Sequence, residues 1–146
     1  MYEQANADVI GRRERVAARV RDELAAAGIT VCPQTTNALM QLRQGAEVHV
    51  DTGADGGVLI AWQTHPLLRD RAVEAVSTNR LDDAALWHNG AVQEAMLAAI
   101  TTILTSAGFT IFENPDDMNP LTLKVESAPA WDTPLTWESV AADAGS

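Results

Sequence analysis

Two stretches of the sequence decide how the chain is organised: "LAAAGITV" at Leu24–Val31 and "LTSAGFTI" at Leu104–Ile111. They align without a gap, and the leucine, the last alanine, the glycine and the threonine are identical in both. In each stretch, a run typical of a helix end precedes the glycine, and residues typical of a strand follow it. The sequence therefore predicts an internal repeat, in which each unit passes from a helix into a strand.

A long helix is predicted before each of the two glycines. The first runs from about Ala7 to Ala27, with Asn6 or Asp8 as its N-cap. The second runs from Gly90 to Ala107, with Asn89 as its N-cap. Apolar residues recur at helical spacing in both: Val9, Val16, Val20 and Leu24 in the first, and Val92, Met96, Ile100, Ile103 and Leu104 in the second.

Antiparallel strands are predicted after each helix. In the first unit, a short strand at 29–31 precedes a hairpin of 46–50 and 58–62, in which Val50 pairs with Val58. This register puts Ala46, Val48, Val50, Val58, Ile60 and Trp62 on one face, and Glu47, His49, Leu59, Ala61 and Gln63 on the other. In the second unit, 109–112 pair with 121–125.

The connecting segments complete the predicted order α-β-β-β-α-(α)-α-β-β. Residues 35–45, 66–76 and 81–87 are each interpreted as short helices. The fold class is α+β: two tandem α-β-β type units form one antiparallel sheet, with the helices packed on one face. Residues 1–126 form a single domain, with units at about 6–65 and 89–126 and a helical linker at 66–88.

The last residues, 127–146, are predicted to form an extended tail. They are rich in proline and alanine, but they also include Trp131 and Trp137. Tryptophan is rare in segments that make no contacts, so the tail is expected to dock on its own domain or on a second subunit.

Charge is divided unevenly along the chain, whose net charge is −10. Residues 1–80 hold nine basic and ten acidic residues, whereas residues 81–146 hold Lys124 alone against ten acidic residues. Five arginines fall within residues 12–21 of the first helix. The acidic balance argues against nucleic acid as a partner. The sequence contains no long apolar run and no secretory signal core near its N-terminus, so a cytoplasmic location off the membrane is expected.

The segment "VHVDTGADGGVL" at Val48–Leu59 resembles the active-site loop of the retropepsin family of aspartic proteases. That resemblance implies Asp51 as a catalytic carboxylate, supplied once by each subunit of a dimer in a mostly β fold. The chain departs from the family in lacking a glycine-rich flap after the loop. Its one triplet of two apolar residues and a glycine, at 9–11, precedes the loop. Turn chemistry alone also selects Asp and Gly in such a hairpin loop.

A second possible site combines His49 and Asp51, which share a strand face, with Trp62 nearby. These residues could line a pocket for a small molecule or a metal ion, but His65 lies beyond the paired strands and is not expected to complete a metal site. Cys32 is interpreted as a small core residue. Neither a catalytic residue, a metal ligand set nor a cofactor is predicted, since the sequence has no nucleophile elbow, P-loop or GxGxxG motif.

The sequence thus favours a non-catalytic, self-associating protein-binding module. In size, charge and element order it is reminiscent of small acidic secretion chaperones, related adaptors and immunity proteins, and the analogy includes no shared motif. The candidate binding residues are Arg12, Arg15, Arg19, His49, Asp51, Trp62, Trp131 and Trp137. The alternatives are a small-molecule or metal-binding protein or enzyme at His49, Asp51 and Trp62, a nucleic-acid mimic, and an aspartic protease at Asp51.

Overall fold

The computed structural model describes residues 6–33, 43–53, 56–113 and 121–130. Along these residues lie the helices α1 (Ala7–Ala26), α2 (Pro66–Ser77) and α3 (Ala84–Ser106). The strands are β1 (Gly45–Val50), β2 (Val58–Gln63), β3 (Thr110–Glu113) and β4 (Leu123–Ser127). The predicted α+β class is confirmed. No helix of the described residues is long and apolar enough to cross a membrane.

Helix α1 begins and ends as its sequence predicts. The side chain of Asn6 accepts a hydrogen bond from the Val9 N–H at 3.0 Å, which satisfies one of the free amides of the first turn. At the other end, Gly28 has φ of +88° and the Ile29 N–H bonds back to the Leu24 carbonyl at 3.0 Å. This left-handed residue lets the chain leave the helix with its last carbonyls satisfied.

Helix α3 ends in the same way but begins earlier than predicted. Gly108 has φ of +96°, and the Phe109 N–H bonds to the Leu104 carbonyl at 3.0 Å. The N-cap is Asp83, not Asn89, because the Asp83 carboxylate accepts the Ala85 N–H at 2.9 Å. Residues 84–88, assigned by the sequence to the linker, are therefore the start of α3, and the separate helix predicted at 81–87 does not form.

The predicted register of the first hairpin is confirmed. Val50 pairs with Val58, Val48 with Ile60, and Ala46 with Trp62. The second hairpin joins β3 to β4, and β4 also pairs with β2, so that the four-stranded antiparallel sheet has the order β1-β2-β4-β3. The predicted strand at 29–31 is reduced to one parallel bridge between Val31 and Ala46.

One face of the sheet is covered by α1 and α3, which pack on it side by side, while α2 packs on α3 through Ala72 and Ala75. A single apolar cluster fills this layer: Ala17, Val20 and Leu24 from α1, Leu97, Ile100 and Leu104 from α3, Ala46, Val48, Val58, Ile60, Leu123 and Val125 from the sheet, and Phe109. In the described part of the chain, no helix covers the other face. The predicted helix at 35–45 falls largely outside the described residues, as do residues 131–146 of the tail.

Candidate functional site

The uncovered sheet face brings two of the candidate residues together. His49 and Asp51 line a shallow groove of about 420 Å³ with Glu47, Leu59, Ala61, Gln63 and Thr122. Trp62 is not part of this groove, because it pairs with Ala46 on the covered face and packs against the core. Glu47 accepts hydrogen bonds from Arg43 at 2.6 Å and from Gln63 at 3.2 Å, so this carboxylate is already paired.

Hydrogen bonds within the loop that carries Asp51 stabilise its conformation. The Asp51 carboxylate accepts the Gly53 N–H at 2.9 Å, and the Asp51 N–H donates to the Gly57 carbonyl at 2.8 Å. A Cβ atom at Gly56 would lie 2.6 Å from the Asp51 Cγ atom, so the following glycine makes room for this carboxylate. Asp51 therefore shapes the hairpin turn, in a protein whose three described helices differ from the mostly β fold that the protease resemblance implies.

Two arginines of α1 donate hydrogen bonds to the first hairpin, one to this loop and one to strand β1. One guanidinium nitrogen of Arg13 donates to the carbonyls of Asp51 and Gly53, at 2.7 and 2.8 Å. Two turns later, Arg21 donates to the Val48 carbonyl at 3.1 Å. Neither was among the predicted binding residues. The signal was present in the spacing, because Arg13 lies four residues after Val9 and so shares the apolar, sheet-facing stripe of the helix.

The predicted arginine patch is only partly assembled. Arg12 lines a second groove of about 420 Å³ with Arg13, the hairpin glycines and Lys124, and Glu126 contributes a negative charge to it. Arg15 is exposed on α1, and Arg19 is half-buried. The Arg19 Nε atom is buried and has no hydrogen-bond partner among the described residues.

The remaining polar candidates have local roles. His65 caps α2, its Nδ1 atom accepting the Leu67 N–H at 3.1 Å. Cys32 is buried as expected, and burial raises the pKa of its thiol, an effect that the nearby Glu47 carboxylate reinforces. Within the described residues, no group of three or more His, Cys, Asp and Glu side chains could hold a metal ion.

Large apolar side chains are exposed on α2 and on the turn into α3. We call this region the corner surface, and its exposed apolar side chains are Leu67 at the start of α2, Val73 and Val76 on another side of that helix, Leu81 in the following turn, and Trp87 in the first turn of α3. Trp87 is 71% exposed, and its indole N–H donates to the Leu81 carbonyl at 3.1 Å. Val73 and Val76 lie three residues apart and so share one side of α2. Pairing of Arg80 with Glu74 and Asp83 places fixed charges beside these apolar groups.

A larger groove lies where α3 meets the edge of the sheet. This β3 groove has a volume of about 720 Å³ and is lined by Leu97 and Ala98 of α3, by Ile111, Phe112 and Glu113 of β3, and by residues that include Glu94, Thr101 and Leu121. Phe112 is 54% exposed although it lies within a strand. Sequence patterns did not reveal the groove, because it forms only when β3 and β4 pair beside α3.

Trp131 and Trp137 lie outside the described residues. In comparisons with protein families, with curated proteins and with solved structures, no match to this chain was found.

Proposed function

We propose that this chain is a non-catalytic protein-binding module that self-associates through the corner surface. The observation that carries the proposal is the concentration of exposed apolar groups: of the six large ones among the described residues, five lie within residues 67–87. Single exposed apolar residues are ordinary, but a group of them within one helix and one turn is typical of a protein contact surface.

A second copy of the chain is the occupant that the charges of the corner surface favour. Residues 66–87 hold three arginines and four acidic residues, so this region is nearly neutral within a chain of net charge −10. In a twofold dimer the same patch meets itself, and a strongly charged patch would repel its copy. A mixed, nearly balanced patch avoids that repulsion.

The alternative, a small-molecule or metal-binding protein or enzyme, has less support. His49 and Asp51 share a shallow groove, but the Asp51 carboxylate caps a turn and Trp62 lies on the opposite face of the sheet. Contacts through Arg12, Arg15 and Arg19, and docking of the tail through Trp131 and Trp137, stay part of the binding-module proposal.

The internal repeat and the cytoplasmic location belong to the same proposal. The tandem repeat is supported by the equal helix ends, in which Gly28 and Gly108 both take positive φ and the next N–H bonds five residues back. A cytoplasmic location, away from nucleic acid and membranes, is supported by the acidic charge and by a single cysteine that is buried as a free thiol.

Sedimentation equilibrium of the purified chain tests self-association. The wild-type chain is expected to sediment as a dimer, and Val73→Glu to shift the equilibrium towards monomer, because an unpaired charge would be buried in the interface. Val73 is 62% exposed within its own chain, so the change leaves the fold intact. Ala18→Glu, at an exposed position of α1, is the matched control and should sediment like the wild type. A wild-type monomer at every concentration, or equal behaviour of the two variants, would refute the proposal.

A further inference from the structure

We infer that the β3 groove binds an extended segment of a partner protein that presents both apolar and basic residues to the groove. The segment adds to the sheet as a fifth strand beside β3. This inference rests on the proposed function, since it gives the binding module a partner surface distinct from the corner surface.

The backbone of β3 supplies the first part of the site. In the described residues β3 is the terminal strand of the sheet and pairs with β4 alone. An edge strand presents N–H and C=O groups along its outer side, and an extended peptide can satisfy them. The strand β3, with the sequence Thr-Ile-Phe-Glu, contains neither lysine nor proline, which protect the edge in many proteins. Its register with β4 shifts between Thr110 and Ile111, so the regular part of this edge is residues 111–113.

The side chains beside β3 supply the second part. Leu97 and Ile111 give the groove an apolar floor, and Phe112 stands partly exposed at its margin. In an added strand, alternate side chains point to the same side. Every second residue of the bound segment would therefore face the groove, and apolar residues are favoured at the positions that lie over its apolar floor.

Charge identifies the kind of segment. Among the described residues that line the groove, the charged ones are Glu94 and Glu113, both acidic and both exposed. Carboxylates at the rim of an apolar groove favour lysine or arginine in the occupant and repel acids.

The acidic rim of the groove disfavours the occupants that this chain itself could supply. The tail at 131–146 contains three acidic and no basic residues. A second copy of β3 would bring another Glu113 into the groove, followed in sequence by Asp116 and Asp117. Repulsion at the rim therefore favours a different protein with basic residues.

Selection from a phage library of random peptides of about ten residues tests the inference, because that length spans β3 with residues to spare. We expect the wild-type chain to enrich peptides in which every second residue is either apolar or one of lysine and arginine. Glu94→Lys/Glu113→Lys should weaken binding of an enriched peptide by at least about tenfold in fluorescence anisotropy. Glu14→Lys/Asp22→Lys, at exposed positions of α1, changes the net charge equally and should retain binding.

Hydrogen exchange measured by NMR tests the mode of binding. A bound peptide should slow exchange of backbone amides within Thr110–Glu113 that do not bond to β4. Failure to enrich peptides, enrichment of acidic peptides, full binding by the groove variant, or unchanged exchange in β3 would each overturn the inference. Displacement of the enriched peptide by the peptide "FTIFE", residues 109–113, would assign the edge to a second copy and likewise overturn it.

The two proposals fail separately. The groove variant leaves the corner surface unchanged, so lost peptide binding with an intact dimer affirms the groove and leaves self-association standing. A monomeric wild-type chain that still binds the basic peptides would refute self-association alone.

Discussion

Replacement of Gly45 by alanine tests the junction at which α1, the following segment and β1 meet. Gly45 has φ of +101°, and an added Cβ atom would lie 2.5 Å from the Thr30 carbonyl oxygen. That oxygen accepts the Ala46 N–H at 2.8 Å, and the Ala46 carbonyl accepts the Cys32 N–H at 2.8 Å. The chain therefore has no room to move the carbonyl away without loosening these two hydrogen bonds.

The expected loss of stability follows from these contacts. A positive φ costs an alanine about 1–2 kcal/mol, and two weakened hydrogen bonds add about 1 kcal/mol each. Reduced freedom of the unfolded chain returns about 0.4–1 kcal/mol. Gly45→Ala should therefore lower the free energy of unfolding by about 3 kcal/mol, which corresponds to roughly 10 °C in Tm for a chain of this size.

Gly28→Ala is the matched control, because Gly28 also has positive φ but an added Cβ atom there meets nothing within 4 Å. Its cost should be about 1 kcal/mol, from the backbone conformation alone. Urea unfolding followed by circular dichroism, at one fixed protein concentration, measures both losses. Equal losses in the two variants would show that the Thr30 carbonyl does not press on Gly45, and would refute the pairing of residues 30–32 with β1.

Four further predictions concern the loop, the thiol and the core. Asp51→Asn should change the free energy of unfolding by less than about 0.5 kcal/mol in urea titrations, since an amide oxygen can still accept the Gly53 N–H. Arg13→Ala should lower the free energy of unfolding by about 2 kcal/mol, because it removes hydrogen bonds to two loop carbonyls. If Asp51→Asn lowered it by the same amount, the charge of Asp51 would matter beyond the turn. Because burial raises the pKa of the Cys32 thiol, its contribution to stability is present below the unfolded pKa of about 8.5 and is lost as pH rises through the folded pKa. Urea midpoints should therefore fall over that alkaline range in the wild type more than in Cys32→Ala, and equal falls would contradict the assignment. Ile100→Ala should cost about 2–5 kcal/mol in the same titrations, because the side chain is fully buried, and a loss below 1 kcal/mol would place Ile100 outside the core.

The register of the first hairpin could be predicted because apolar and polar residues alternate in β1. Alternating residues assign Val48 and Ile60 to the covered face, and a slip by one residue would expose both. The same register already implies that Trp62, opposite Ala46, cannot share a groove with His49. The proposed joint site therefore conflicted with the strand pairing from which it was drawn.

The start of α3 could not be read from local signals. Asn89 followed by Gly90 is typical of a helix start, yet the Asn89 amide oxygen accepts a hydrogen bond from the Thr64 hydroxyl at 2.5 Å. This contact joins residues that are far apart in sequence and occupies the Asn89 side chain inside the helix, while the Asp83 carboxylate caps the first turn. Local patterns rank possible caps, but contacts between distant parts of the chain decide which of them is used.

The distribution of charge links the two proposed surfaces. If self-association used the β3 groove, each copy would place Glu94 and Glu113 near their equivalents in the other, and the repulsion would oppose the dimer. The corner surface avoids this cost because arginines and acids alternate there, as in the pairing of Arg80 with Glu74. A dimer formed at the corner surface therefore leaves both acidic grooves open to a basic partner. The acidic residues in the second half of the chain would then favour a basic partner segment over a second copy of the chain in the β3 groove.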